Sequence, residues 1–319
     1  MYLSFYGLRE APFRPTPDPK FLYQSARHAD ALAQLVYGVR ERIGFILLTG
    51  EIGTGKTTLL RALFDQLDQT TEVAYIPNTT AGIDGVLEYA FLDWGLASPK
   101  AMSHAERLSA LSKFLIERYR AGVTPVLVID EAQNLSRETL EAVRLLSNFE
   151  TTQKKLMQIV LVGQPELRAK VLAPELRQLK QRIALRCHLR PLTPEETRLY
   201  IDHRLRVAGA RDMPFSEAAI REIARYSGGT PRLINTVCDH ALFAAFGDNK
   251  RRIEADDIRD AIAYLEEGEP PAWKRARDAF VPRTAVWAGR AGVSVLVGLL
   301  IAVLAFAANA MGWLGASGH

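Results

Sequence analysis

The nine residues from Gly50 to Thr58 read GEIGTGKTT and directly follow an apolar run, IGFILLT, at Ile43–Thr49. The spacing G-x-x-x-x-G-K-[ST] is typical of a loop that wraps around phosphate groups between a strand and a helix. Gly53 and Gly55 allow backbone amides to approach an anion closely, and the start of the next helix points further N–H groups at it. The stretch therefore predicts a strand, a phosphate-binding loop and a helix. The alternative is a chance match in a glycine-rich turn.

The same alternation of apolar strands and helices continues around this loop. The predicted strands are Ile43–Thr49, Val73–Pro77, Val126–Ile129 and Ile159–Val162, and the predicted helices are Lys56–Asp68, Gly82–Trp94, Ala105–Arg120 and Arg137–Phe149. Continuous apolar strands separated by helices are typical of a parallel sheet that is covered on both faces. We therefore expect an α/β core over residues 1–190.

A change in pattern after Pro191 predicts a second, all-helical domain over residues 191–268. Its four predicted helices are Pro194–Val207, Ser216–Tyr226, Pro231–Phe246 and Ala255–Glu267. Thr193 and Ser216 each precede acidic residues in the way that helix N-caps do.

The charge of the chain is concentrated in one short segment. The 319 residues include 40 Lys and Arg against 36 Asp and Glu, a net charge of +4. Between Pro271 and Arg290 there are five basic residues and one acid, and no charged residue follows Arg290. Residues 1–270 are therefore neutral overall, which weighs against nucleic acid as a partner. The two cysteines, Cys187 and Cys238, exclude a disulfide scaffold, and we expect both to be buried apolar residues.

An uncharged apolar run follows the basic segment. Val293–Ala310 reads VSVLVGLLIAVLAFAANA, with Trp287 and Trp313 on either side. A helix of about 20 apolar residues crosses the hydrocarbon layer of a bilayer, and basic residues favour the cytoplasmic side. We therefore expect a basic linker over residues 269–290, one membrane-spanning helix over 291–313, a short tail over 314–319, no signal peptide and a cytoplasmic location for the folded part. The alternative is a buried core helix.

Two adjacent carboxylates end one of the predicted strands. Pro125–Glu131 reads PVLVIDE, so that Asp130 and Glu131 lie at the carboxyl end of a buried strand. With a phosphate-binding loop upstream, Asp130 and the Thr57 hydroxyl are candidate Mg²⁺ ligands, and Glu131 is a candidate for polarising an attacking water. This pattern favours ATP hydrolysis, and the N-K-x-D motif for guanine is absent from the sequence. A solvated strand end is the alternative.

Three weaker signals follow in the sequence. The strand Ile159–Val162 is followed by Gly163-Gln164-Pro165, and the Gln164 amide at this strand tip could contact the attacking water or a γ-phosphate, although a plain turn residue is the alternative. The segment Leu176–Arg190 carries five basic residues, which a solvated basic face would also explain. Arg232 follows Gly228-Gly229-Thr230-Pro231 at a helix start, where an anionic partner would offset its unfavourable interaction with the helix dipole.

In this order, the motifs resemble those of the AAA+ ATPases, and within them the ExeA/GspA-type ATPases of the general secretion pathway. The resemblance extends over residues 1–267. It rests on YLSFYGL from Tyr2, GEIGTGKTTLLR from Gly50, VLVIDEAQNL from Val126, LVGQPEL from Leu161, LKQRI from Leu179 and GGTPRLIN from Gly228. ATPases associated with exosortase and exopolysaccharide loci have nearly the same motifs, and transposition ATPases resemble the chain more distantly.

The resemblance implies a three-layer αβα core with a helical lid domain, an ATP and Mg²⁺ requirement, and a homo-oligomer. By position, Gln164 matches sensor 1, Arg182 the arginine finger that acts on a neighbouring subunit, and Arg232 sensor 2. Phe13 and His28 are candidates for the adenine pocket, with an ordinary helix-surface histidine as the alternative for His28. The residues implied in nucleotide binding are Gly50, Glu51, Ile52, Gly53, Thr54, Gly55, Lys56, Thr57, Thr58, Asp130 and Arg232, and those implied in catalysis are Glu131, Lys56, Gln164, Arg182 and Arg232.

The expected function is that of an ATPase anchored by a single helix in the bacterial inner membrane, which drives assembly or operation of an envelope secretion or export system with a membrane-protein partner. ExeA-type proteins continue past the membrane into a peptidoglycan-binding region, which we do not expect here. Two alternatives stay open. One is a nucleic-acid-associated ATPase of the transposition-regulator type, and the other is a scaffold that switches with nucleotide but does not hydrolyse it.

Overall fold

A five-stranded parallel sheet forms the centre of the computed structural model, which describes residues 2–16, 18–77, 82–96, 102–152 and 154–268. The strands are β1 (Phe45–Gly50), β2 (Thr71–Ile76), β3 (Thr124–Ile129), β4 (Gln158–Gly163) and β5 (Ile183–Leu189), in the order β2-β3-β4-β1-β5. All neighbouring pairs are parallel. The four predicted strands are confirmed, and their carboxyl ends meet at one edge of the sheet.

Helices cover both faces of the sheet. The helices that precede Pro191 are α1 (Tyr2–Phe5), α2 (Ala26–Arg40), α3 (Lys56–Gln66), α4 (Ile83–Asp93), α5 (His104–Arg120), α6 (Arg137–Leu146), α7 (Pro165–Leu172) and α8 (Arg177–Arg182), with 3₁₀ turns at Pro19–Phe21, Ala132–Asn134 and Pro174–Leu176. Of these, α2 to α8 pack on the sheet. Alternate residues of each strand point to opposite faces: in β1, Ile46 and Leu48 pack with α2 and α3, whereas Phe45 and Leu47 belong to the apolar cluster with α4 to α8. The predicted αβα layers are confirmed.

The fifth strand, β5, was not predicted. It occupies much of the basic segment Leu176–Arg190, in which α8 ends at Arg182 and β5 begins at the next residue. Its residues alternate, since Ile183, Cys187 and Leu189 are buried while Arg186 and His188 are exposed. Among the residues that the structure describes, the strand pairs only with β1, at the edge of the sheet. An edge strand keeps a polar side, so the continuous apolar run that identifies inner strands is missing.

The four helices predicted after Pro191 are present as α9 (Pro194–Val207), α10 (Glu217–Ser227), α11 (Pro231–Gly247) and α12 (Ala255–Glu267). Both predicted caps are confirmed. Thr193 forms a capping box with Glu196, and the Ser216 side chain accepts from the Ala219 N–H. Cys187 and Cys238 are buried and free, as expected, and burial raises the pKa of the Cys238 thiol.

The part of the chain that precedes α2, called the N-terminal segment below, packs against the helical region formed by α9 to α12. Tyr2 Oη donates to Asp239 Oδ1 on α11 (2.5 Å), and the Arg9 N–H donates to the Ala208 carbonyl after α9 (2.8 Å). By their contacts, residues up to Ala261 form one compact unit, so the boundary at residue 190 stays a prediction. Within the described ranges, no helix has both the length and the apolar composition needed to cross a membrane. The predicted linker, membrane-spanning helix and tail, over residues 269–319, lie outside the described residues.

Candidate functional site

The loop between β1 and α3 has the conformation that its glycines allow. Gly53 and Gly55 have φ angles of +79° and +96°, in the left-handed region that favours glycine. Helix α3 begins at Lys56 without a side-chain cap and without an acid in its first turn, whereas α5, α6, α9 and α10 begin with serine or threonine caps. The backbone N–H groups at the start of α3 are thus left for an anion.

Lys56 is the buried cation of this loop. Its Nζ donates to the carbonyl oxygens of Gly50 (2.8 Å) and Glu51 (3.0 Å). Burial lowers the pKa of the Lys56 ammonium, and the nearby carboxylates of Glu131 and Asp130 oppose this shift. A cation held in this way, at the start of α3, can bind phosphate oxygens.

Asp130 follows β3 and is the acceptor in a cluster of three donors. Its Oδ2 accepts from Thr57 Oγ1 (3.2 Å) and from Tyr75 Oη (3.1 Å), and its Oδ1 accepts from the Glu131 N–H (2.9 Å). Burial raises the pKa of the Asp130 carboxyl, and the bonds from Glu131 and Tyr75 act in the opposite direction. The structure brings Thr57 and Asp130 together, and an oxygen donor set of this kind suits Mg²⁺ when substrate phosphates complete its coordination.

Glu131 is held by two amides. Its backbone is left-handed, with a φ angle of +50°. Its Oε2 accepts from Gln133 Nε2 (2.5 Å) and from Gln164 Nε2 (3.2 Å). We expected Gln164 to contact water or phosphate, and in this structure it contacts the Glu131 carboxylate. The order of the motifs in the sequence did not predict this contact.

The start of α11 contacts the phosphate-binding loop directly. The Arg232 N–H donates to the Gly53 carbonyl (3.3 Å), and a Cβ on Gly53 would lie 2.6 Å from Arg232 Cβ. Behind this contact, Gly229 has a φ angle of +74°, and a Cβ there would lie 1.8 Å from the Leu192 carbonyl oxygen. The glycines at positions 53 and 229 thus allow the helical region to approach the loop closely.

A cavity of about 420 Å³ lies between the phosphate-binding loop, the N-terminal segment and helices α9 and α11. Its volume is within the usual range for small-molecule sites. Its lining includes Ile52, Gly53, Gly55, Lys56, Thr57, Thr58, Glu131 and Arg232 from the predicted set. Arg14, Tyr200, Arg204 and Asn235 also line it, and the sequence did not assign any of them to a site. Arg14, Tyr200 and Arg204 belong to none of the motifs, and Asn235 is only the last residue of GGTPRLIN. The packing of the N-terminal segment, α9 and α11 brings all four to the cavity.

Arg204 is a buried cation on one side of this cavity. Its Nε donates to the Pro12 carbonyl (2.5 Å), its Nη1 donates to Tyr200 Oη (2.9 Å), and its guanidinium lies 4.9 Å from the centre of the Phe21 ring. Tyr200 Oη in turn donates to Asn235 Oδ1 (2.8 Å). These bonds join the N-terminal segment, α9 and α11 beside the cavity.

The two candidates for an adenine pocket have different surroundings. Phe13 is buried against the Phe215 ring and does not line the cavity. His28 is buried, with Nε2 3.2 Å from the Thr54 carbonyl oxygen and Nδ1 2.8 Å from Ser25 Oγ. The alternative of an ordinary surface histidine is therefore wrong, because His28 packs behind the phosphate-binding loop.

Arg182 lies outside the cavity described above. It is the last residue of α8, its Nη2 donates to Asn148 Oδ1 (3.1 Å), and it does not line the cavity.

Comparisons with known proteins show the family to which this chain is similar. Residues 39–171 match the family described as an AAA domain. The chain is 45% identical over 268 residues to "General secretion pathway protein A" of Aeromonas hydrophila, an alignment that covers 84% of this chain and 49% of that protein, so the chain spans about half the length of this relative.

Solved structures support the fold alone. Cdc6p from Pyrobaculum aerophilum has a TM-score of 0.63 at 22% identity, over 78% of this chain and 69% of that one. The Aeropyrum pernix ORC1 protein, in a complex with DNA, has a TM-score of 0.61 at 17% identity, over 81% of this chain and 70% of that one. With the phosphate-binding loop, the AAA-domain match and the aligned relative, the chain belongs to the ExeA/GspA-type AAA+ ATPases.

Proposed function

We propose that this chain binds and hydrolyses ATP with Mg²⁺, as a membrane-anchored oligomer that drives the assembly or operation of a bacterial envelope secretion or export system. The observation that carries the proposal is the convergence of Lys56, Thr57, Glu131 and Arg232 around one cavity at the carboxyl edge of the sheet, with Asp130 hydrogen-bonded to Thr57. The link to secretion is supported by the aligned relative. The membrane anchor is supported by the apolar sequence of residues 291–313 and the basic segment before it.

In the proposed reaction, the loop amides, the start of α3 and Lys56 bind the phosphates of ATP. Thr57 and Asp130 would hold Mg²⁺, which neutralises charge on the β- and γ-phosphates when bound. Glu131 accepts a proton from the attacking water, and Gln164 orients its carboxylate. Arg232, at the start of α11, binds the γ-phosphate. Arg182 of a neighbouring subunit stabilises the charge that develops while the γ-phosphoryl group is transferred from ADP to water.

The proposal is tested by measuring phosphate release from ATP by the full chain, in detergent or liposomes, with Mg²⁺ and with excess EDTA. We expect Mg²⁺-dependent release that Lys56→Ala abolishes, because this variant lacks the cation that binds phosphate oxygens. Lys113→Ala, on α5 and outside the cavity lining, is the control and should release phosphate like the wild type. Turnover that is equal in Lys56→Ala and wild type would contradict the proposal.

Tyr75 is expected to tune the Mg²⁺ requirement. Tyr75→Phe removes the hydroxyl that donates to Asp130 Oδ2 and keeps the ring, so that Asp130 is oriented by fewer bonds. Partners that orient a metal ligand typically contribute about 10-fold or more to metal affinity, and we expect the Mg²⁺ concentration for half-maximal turnover to rise by roughly that factor. Tyr89→Phe, an exposed tyrosine on α4, is the matched control. An unchanged Mg²⁺ titration in Tyr75→Phe would show that the hydroxyl has no such role.

A further inference from the structure

Gln133 connects two residues of the proposed catalytic site, although no step above uses it. It lies in the 3₁₀ turn Ala132–Asn134, two residues after Glu131. Its Nε2 donates to Glu131 Oε2 (2.5 Å), and its Oε1 accepts from the Gln164 backbone N–H (3.1 Å). One side-chain amide therefore joins the end of β3 to the end of β4.

The surroundings of Gln133 fix this amide from two further sides. A Cβ on Gly163 would lie 2.6 Å from Gln133 Oε1, so the amide occupies space that is open because residue 163 is glycine. Lys170 Nζ, from α7, donates to the backbone carbonyls of Gln133 and Leu135. The turn is thus held by α7, and its side chain is held by the end of β4.

The bonds to Glu131 are directional. Among the described residues, Gln133 and Gln164 both donate to Oε2, so that Oε1 is the oxygen available to accept a proton from water. An amide donor orients a carboxylate without placing a second full charge beside it. The left-handed backbone of Glu131 (φ +50°) gives the side chain its starting direction, and the two amides fix its end.

We propose that Gln133 is a positioning residue for hydrolysis, which holds the Glu131 carboxylate so that Oε1 faces the attacking water. This inference rests on the proposed ATPase function. Positioning acts on the chemical step and not on ATP binding, because Gln133 does not line the cavity and contacts no phosphate-binding residue of the loop in its described bonds.

Two substitutions test this role in the full chain. Gln133→Met keeps the length of the side chain and removes both bonds. Gln133→Glu keeps the acceptor for the Gln164 N–H, but removes the donor and places a second carboxylate beside Glu131. We expect both to lower kcat by roughly 10²-fold, the cost of a misplaced catalytic group, with unchanged KM and ATP affinity. Gln178→Met, an exposed residue on α8, is the matched control.

The pair separates positioning from a merely structural role. If Gln133 only supported the Gln164 turn, Gln133→Glu would keep wild-type kcat while Gln133→Met lost it, and the proposal would be overturned. In a Glu131→Gln background, Gln133→Met should cause no further loss, since residues that act as a unit are non-additive; a further loss of the same size would also overturn it. Thermal unfolding shows whether each variant folds, and Gln133→Glu still decides the question if Gln133→Met does not.

The wild type, assayed in parallel, distinguishes a failure of the proposed ATPase function from a failure of the role proposed for Gln133. If the wild type releases no phosphate, the proposed function fails and this role fails with it. If the wild type is active and both Gln133 variants match it, only the role of Gln133 is wrong.

Discussion

Glu131→Gln is expected to bind ATP as tightly as the wild type and to hydrolyse it 10²- to 10⁴-fold more slowly, the usual contribution of a general base. A glutamine has the same shape, and its carbonyl oxygen can still accept from Gln133 and Gln164, so the local hydrogen bonds persist. It has no carboxylate to take a proton from water. The loss therefore falls on kcat, as measured by steady-state phosphate release.

Glu138→Gln is the control for this substitution. Glu138 is exposed in the first turn of α6, seven residues further along the chain, and its amide variant should keep wild-type turnover. ATP affinity is measured separately by equilibrium titration. If Glu131→Gln hydrolysed ATP at the wild-type rate, Glu131 would not be the base, and the interpretation of the β3 end as a catalytic element would be wrong.

Arg182→Ala is expected to lower turnover by about 10³-fold or more, the range for an arginine finger. Arg182 does not line the cavity of its own chain, so a catalytic effect requires a second copy. Wild-type turnover per chain should therefore rise with protein concentration, and turnover by the variant should stay low at every concentration. Arg177→Ala, at the start of the same helix, is the control and should behave like the wild type.

Mixing two inactive variants tests the same claim in another way. Lys56→Ala lacks a working site but retains Arg182, and Arg182→Ala retains the site but lacks the arginine. In a mixed oligomer, Lys56→Ala subunits supply Arg182 to the intact sites, so phosphate release should reappear on mixing. Arg182→Ala with wild-type turnover, or mixtures that stay inactive, would contradict action between subunits.

Much of the fold is readable from the sequence because the inner strands are buried on both faces. β1, β3 and β4 are buried at every residue, and burial on both faces leaves a continuous apolar run in the sequence. β5 lacks such a run, since Arg186 and His188 face outward at the sheet edge. Its assignment depends on pairing with β1, which is a tertiary contact.

The site residues also divide into those that the local sequence predicts and those that only tertiary contacts bring to the site. Lys56 and Thr57 are fixed by local spacing, and Asp130 by its place at the end of an apolar strand, so the sequence alone predicts that these residues are neighbours. Tyr75 reaches Asp130 only through the parallel register of β2 and β3. Arg204 reaches the cavity only through packing of α9 against the N-terminal segment. Neither residue belongs to a motif, so neither could be predicted.

The central claim, that this cavity is the site at which ATP binds and reacts, is tested most directly by one equilibrium titration of Mg²⁺·ATP on three proteins. We expect wild type and Glu131→Gln to bind Mg²⁺·ATP with the same affinity, since Glu131 acts on water. We expect Lys56→Ala to bind it at least about 10-fold more weakly, because a charge-assisted bond contributes roughly 1.5–3 kcal/mol. Equal affinity of all three proteins for Mg²⁺·ATP would contradict this claim.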